Sequence, residues 1–231
     1  MAKGHGHLVM ALQAMSDGMI SDMPDHSTAR QLQAEVNRLR QGVAALNSVN
    51  TNRSPLDTEA AHALKVAKMA RKLDTEITAT TNRSAQIWAA GFSDAERRIG
   101  EKINLTPDAF ASEIRVAFRG LNTNAQGELI RDLVEQNRGP ELAAIVKAPS
   151  VLTGITDAQR EAYGEAIVAR HASAELDEQK ALEDVFTVVR AATRASASFV
   201  KDLTNPRMIE EIERGANAAE AAGSAFDQSM Q

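Results

Sequence analysis

The residues that could bind a metal are few and widely spaced in this chain of 231 residues. His5 and His7 form a His-x-His pair between glycines, and two neutral imidazoles can hold a transition metal, but no third ligand is near them in the sequence. Glu59 and His62 match once the Glu-x-x-His spacing that di-iron helix bundles use twice. The other helical histidine, His171, has a valine at the corresponding position. The sequence therefore predicts no metal site.

The motifs of nucleotide binding and nucleophilic catalysis are also missing. The chain has no cysteine, no Gly-x-x-x-x-Gly-Lys-Ser/Thr loop, no Gly-x-Gly-x-x-Gly fingerprint, no Gly-x-Ser-x-Gly elbow and no His-Glu-x-x-His. We interpret the densest acidic stretch as a solvated helical face; it consists of Glu175, Asp177, Glu178, Glu183 and Asp184. We therefore predict no catalytic residue and no cofactor. An enzyme is the last of the three functions that we consider, after a structural protein and an adaptor.

Four basic residues have the spacing of a stripe along one helix, and such a stripe can contact phosphate groups. They are Lys65, Lys68, Arg71 and Lys72. Acidic neighbours dilute this stripe, and no aromatic residues alternate with it for base stacking. The net charge of −5 also disfavours non-specific nucleic-acid binding by the whole chain. A helical adaptor or regulator that binds nucleic acid or another protein is thus the second of the three functions. The sequence does not indicate nucleic acid as its partner.

The composition predicts an all-α protein. Alanine, the strongest helix former, accounts for 41 residues, whereas aromatic residues make up 3% of the chain. No run of about 18 apolar residues is present, so we expect no membrane span. The first 21 residues have no convincing cleavage site, so we expect no secretion signal and a location in a virion or in the bacterial cytoplasm.

A short amphipathic stripe follows the glycine-rich start. Its members recur at steps of four, three and four residues and are Leu8, Leu12, Met15 and Met19. The glycine- and aspartate-containing flanks make a poor autonomous helix. Two interpretations stay open: a helix that docks on another subunit, and a terminal helix folded onto the chain's own core. We predict intermolecular docking.

Longer helical patterns follow. One helix is expected to end near Asn47, and a second runs from about Asp57 or Thr58 to about Ala90, with a weak point at TATTNRS. Glycines and prolines then crowd residues 91–155, where we expect short helices, one of them with Pro107 at its first position. The apolar face of that helix should include Phe110, Ile114 and Phe118.

The longest pattern covers 156–204 and reads as one helix. It carries the cleanest heptad seam of the chain, which we expect to close either a bundle or an oligomer. The large apolar residues of this seam are Leu182, Val185, Val189, Phe199 and Leu203.

These elements predict an all-α, elongated helical bundle with two long antiparallel helices and a head of short helices. We divide the chain into a tail with a docking helix, a helical arm, a compact head, a long return helix, and a C-terminal helix with a tail. The respective boundaries are 1–28, 29–90, 91–155, 156–204 and 205–231.

In composition and helical pattern, the chain resembles the helical virion-assembly proteins of tailed bacteriophages, such as scaffolds, internal or ejection proteins and connector components. The resemblance lies in the alanine-rich helices, the absence of cysteine, and the methionine-rich start, where five of the eight methionines fall within residues 1–23. It implies a non-enzymatic structural or assembly protein that oligomerises through its helices. Its partners would be copies of itself and other protein subunits of an assembly.

Overall fold

A computed structural model describes residues 6–21, 23, 25–204 and 206–229. These residues form ten α-helices and no strand, so the predicted all-α class is confirmed. No helix among them is long and apolar enough to cross a membrane. The helices are α1 (Gly6–Gly18), α2 (Ser27–Thr51), α3 (Glu59–Ile103), α4 (Ala111–Gly120), α5 (Thr123–Glu135), α6 (Gly139–Val146), α7 (Ser150–Thr153), α8 (Asp157–His171), α9 (Ser173–Leu203) and α10 (Pro206–Ser229).

The chain divides into two compact units. The first unit falls within residues 1–88 and 183–231, and the second is 89–182. The helices α3 and α9 each contribute one part to each unit. The head expected over 91–155 therefore lies inside a larger unit, which also contains α8 and the start of α9.

The first unit is an antiparallel helical bundle. Arg83 of α3 contacts Glu35 of α2, whereas Leu73 approaches Gly42, so residue numbers rise along α2 as they fall along α3. The ring of Trp88 stacks on Phe186 with centroids 5.0 Å apart. Further along the same pair of helices, Ala67 and Val200 line one groove, so α3 and α9 also run antiparallel in this unit. The buried apolar side chains of its core are Leu12, Met19, Leu32, Val36, Leu39, Val43, Leu46, Val66, Ala70, Leu73, Ile77, Val185, Val189, Ala192, Phe199 and Val200.

The second unit packs five short helices against the end of α3. Its buried side chains are Ile103, Phe118, Ile130, Leu133, Leu142, Ile145, Ile155, Ile167 and Ala172. The start of α6 approaches the end of α3 so closely that a Cβ atom on Gly139 would lie 1.6 Å from the carbonyl oxygen of Ile103. Only glycine fits at such a contact between two backbones.

Several boundary predictions were wrong, and the smallest error is at the end of α2, which lies at Thr51 and not near Asn47. The helix expected to end near Ala90 continues through two glycines to Ile103, because a glycine costs an exposed helix only about 1 kcal/mol and ion pairs follow on this one. The single helix expected over 156–204 is broken at Ala172. The helix α8 buries Ile167 in the core of the second unit and leaves Ala162, Ala166 and Ala169 exposed, so the apolar row predicted for one long helix does not continue through it.

Another wrong boundary is at α4, which begins at Ala111, so Pro107 lies outside the helix. Phe110 therefore precedes the helix and its side chain is exposed, contrary to the predicted apolar face, whereas Phe118 is buried as expected. Of the two starts left open for α3, Asp57 and Thr58, the cap is Thr58, and Thr156 caps α8; each hydroxyl accepts a hydrogen bond from a backbone N–H of the first helical turn.

Candidate interaction surfaces

The N-terminal stripe faces the chain's own core. Leu12 and Met19 are buried in the core of the first unit, and Leu8 and Met15 pack against it half-buried. The helix α1 packs on α2, and the Gln33 side-chain amide donates a hydrogen bond to the carbonyl oxygen of Ser16. The predicted intermolecular docking surface is thus corrected. The apolar row of α3 is rich in alanine, so the sequence suggested too little apolar surface within the chain to cover α1. The leucine- and valine-rich face of α2 supplies that surface.

The heptad seam of α9 also closes a core within the chain. Val185, Val189 and Phe199 are buried in the first unit, and Leu203 packs against them. Leu182 is fully buried in the second unit. The seam was expected to close either a bundle or an oligomer, and the packing within the chain corresponds to the bundle.

A cluster of charged side chains, most of them partly exposed, joins α2 and α3 in the first unit. Glu35 of α2 is buried, and its Oε2 atom accepts hydrogen bonds from Arg83 at 2.9 Å and from Thr80 at 3.3 Å. Arg83 also donates to Glu76 at 2.6 Å, and Arg38 donates to Glu35 at 3.0 Å. The hydrogen bonds to Glu35 and then to Glu76 raise the pKa of Arg83 above its ordinary value. These hydrogen bonds join α2 to α3 at one place along their length.

The second unit holds its own set of ion pairs between the end of α3 and the start of α9. Lys102 contacts Glu175 at 2.7 Å, and Arg98 contacts Glu178 at 2.6 Å. The hydrogen bond from Lys102 lowers the pKa of Glu175 below its ordinary range, and the hydrogen bond from Arg97 lowers that of Asp94. The interpretation of the acidic stretch as fully solvated is wrong for Glu175, which is buried.

The histidines and the basic stripe provide no clear site. Within the described part of the chain, no group of three or more histidine, aspartate or glutamate side chains is arranged to hold a metal ion. The Nε2 atom of His171 lies at hydrogen-bond distance from the carbonyl oxygen of Val134. In the basic stripe, Lys65 pairs with Asp57, and Arg71 pairs with a glutamate of α10, so two of its four charges have acidic partners. His5 lies outside the described residues.

The second unit exposes apolar side chains on or directly beside two helices that pack against each other, α4 and α7. Phe110 is 66% exposed, Val116 is 74% exposed and Val151 is 77% exposed. Leu121 and Leu152 are exposed to a smaller degree. We call these five residues the α4/α7 surface. The sequence did not point to Val116, because it is not part of the predicted apolar face. It lies on the side of α4 opposite to the buried Phe118.

The first unit has an open apolar groove beside α10. The groove has a volume of about 480 Å³, and we call it the α10 groove. Apolar side chains supply most of its wall, and Asn50, Glu59 and His62 are its polar residues. The apolar lining consists of Ala60, Ala63, Val66, Leu203, Ile209 and Ile212.

The turn that precedes α3 presents an apolar side chain to solvent. Leu56 is 94% exposed, yet hydrogen bonds hold the turn around it. Its backbone N–H donates to the Ser54 hydroxyl, Arg53 Nε donates to the carbonyl oxygen of Asp57, and Lys65 holds both carboxylate oxygens of Asp57 within 2.8 Å. The backbone of the turn is therefore held in place, and the Leu56 side chain is left uncovered by the described residues.

Comparison of the chain with protein-family models, with curated proteins and with solved structures finds no match.

Proposed function

We propose that this protein is a structural subunit that self-associates through its α4/α7 surface and thereby builds a larger assembly. The observation that carries the proposal is the exposure of Phe110, directly before α4, of Val116 on α4 and of Val151 on the neighbouring α7. Isolated exposed apolar residues are ordinary, but several on adjoining elements are typical of interaction sites.

The basis of this proposal differs from what the heptad patterns first suggested. The seams of α1 and α9 are used within the chain, so they do not support association between chains. What supports association is the apolar area that the two cores leave uncovered. Covering about 100 Å² of it would contribute about 2.5 kcal/mol to binding, before the costs of ordering two molecules.

The assembly that we propose is of the type formed by helical virion proteins of tailed bacteriophages. Support for this part comes only from the resemblance in composition and helical pattern, namely alanine-rich helices and a chain without cysteine. The adaptor that binds nucleic acid gains no support from the basic stripe, because Lys65 and Arg71 already have acidic partners.

Sedimentation velocity tests the proposal. The purified chain should show a weight-average sedimentation coefficient that rises with concentration from about 1 to 100 µM. The double variant Val116→Asp with Val151→Asp should stay monomeric with an unchanged far-ultraviolet circular dichroism spectrum. The control variant, Asn124→Asp with Ala162→Asp, adds the same charge at exposed positions of α5 and α8 and should associate like the original chain.

A chain that sediments as a monomer at every concentration would contradict the proposal. Equal association of the original chain and the Val116→Asp, Val151→Asp variant would show that a different surface carries the assembly.

A further inference from the structure

We propose that the turn around Leu56 docks into the α10 groove of a second copy of this chain, reciprocally and about a two-fold axis. This inference rests on the proposed function in one respect, that copies of the chain associate. It adds a second contact on the first unit, separate from the α4/α7 surface, and it names the residues on both sides.

The first argument is that a protruding apolar group and an apolar groove lie close together along the chain. Leu56 precedes by only three residues Glu59, which lines the groove. A contact about a two-fold axis uses the same patch on both partners, so that patch must carry both complementary features. The turn and the groove satisfy this requirement, because each copy offers one of each.

The second argument is size. The groove, at about 480 Å³, falls within the range of roughly 300–1,000 Å³ that is typical of pockets that enclose a ligand. The groove is therefore large enough for one leucine side chain with the adjoining turn. Most of the lining is alanine, valine, leucine and isoleucine, so the groove fits an aliphatic occupant better than a charged one.

The third argument is charge. Arg53 lies three residues before Leu56, and only its Nε atom has a partner among the described residues, the carbonyl oxygen of Asp57. Glu59 at the groove is exposed and has no ion pair within the described part of the chain. A turn inserted from a second copy brings Arg53 of one chain to Glu59 of the other, twice across the axis.

The turn is also prepared for binding. The Asp57 carboxylate is held by Lys65, and the Leu56 N–H by Ser54, so little conformational freedom is lost when the turn docks. A single side chain and one ion pair per copy make a small contact, below the roughly 1,200–2,000 Å² of a stable interface. The contact is thus weak by itself.

Cysteine cross-linking tests the geometry, because the chain contains no native cysteine. A tagged copy with Leu56→Cys is mixed with an untagged copy carrying Ala60→Cys, and a short bis-maleimide is added. The mixed dimer should form efficiently. A mixture of Leu56→Cys with Ala221→Cys, an exposed alanine on α10, should give only background. Equal yields from both mixtures would overturn the proposal.

Charge reversal tests the pairing. Arg53→Glu in the copy with Leu56→Cys should lower the yield of mixed dimer by about two- to fivefold, as should Glu59→Arg in the copy with Ala60→Cys. Both changes together should restore the yield, since the pair is then reversed and not broken. No restoration would contradict the assigned contact.

Sedimentation separates this inference from the proposed function. Leu56→Asp should weaken self-association by about tenfold or more without altering the fold, because Leu56 is exposed in the single chain. If the original chain associates and Leu56→Asp associates equally well, the inference fails and the proposed function stands. If the original chain never associates, both fail.

Discussion

The placement of α1 predicts that Leu12 is a core residue of the first unit. Leu12 is fully buried in that core, so Leu12→Ala removes three buried carbon atoms and leaves a cavity. Substitutions of this kind cost about 2–5 kcal/mol. Met10 lies two residues earlier on the same helix and is 69% exposed, so Met10→Ala should change the stability by less than about 0.5 kcal/mol.

The chain provides a local probe for this experiment. Trp88 is the only tryptophan, and it stacks on Phe186 inside the first unit, so its fluorescence reports the unfolding of that unit in urea. The midpoint of the Trp88 transition should fall clearly for Leu12→Ala and stay in place for Met10→Ala. Deletion of residues 1–23 should lower it further, because Met19 is removed as well.

The opposite pattern would refute the reasoning. If Leu12→Ala and the deletion left the Trp88 transition unchanged while self-association weakened, α1 would be an intermolecular docking helix. Its burial against α2 would then not represent the chain in solution.

Three further predictions concern the two units. Gly139→Ala places a Cβ atom against a carbonyl oxygen, so it should destabilise the second unit by about 1–3 kcal/mol or more in urea denaturation followed by circular dichroism. Arg83→Met leaves the buried Glu35 with fewer partners and should cost about 1–3 kcal/mol, monitored by tryptophan fluorescence, whereas adding Glu35→Leu should recover much of the loss. Glu175→Gln should lower stability at neutral pH, and this difference from the original chain should disappear in acid. The reason is that Lys102 lowers the pKa of the folded carboxyl, so its stabilisation is present above the unfolded pKa and is lost as pH falls through the folded one.

Each of these has a clear counter-result. Gly127 has open space around it, so Gly127→Ala should be neutral or slightly stabilising, and equal loss at both glycines would contradict the close approach at Gly139. A fully stable Arg83→Met variant would show that Glu35 is solvated. A stability difference for Glu175→Gln that persists unchanged to pH 2 would exclude the ion pair as its cause.

The fold class was predictable because it depends on short-range rules. Alanine content and the spacing of apolar residues are sufficient to indicate helices, and Thr58 and Thr156 mark two of their starts through local hydrogen bonds. The end of α3 was missed because glycine weakens a helix without stopping it. The break at Ala172 was missed because neither glycine nor proline stands at it.

The sequence could not show whether each apolar row packs on its own chain or on another chain. A stripe such as Leu12 and Met19 looks the same whether it packs on its own chain or on another, because periodicity gives only the face that is buried. The buried Glu35 had no sequence signal of its own, since its partner Arg83 is 48 residues away. Leu56 drew no attention because a single leucine in a turn has no pattern.

Hydrogen–deuterium exchange at low and high protein concentration tests the central claim most directly, because it locates association and internal packing in the same sample. The account predicts that α1 is protected equally at 1 and 100 µM, whereas α4 and α7 gain protection as the concentration rises. Rapid exchange of α1 at low concentration, with protection that appears only on association and with α4 unchanged, would contradict it.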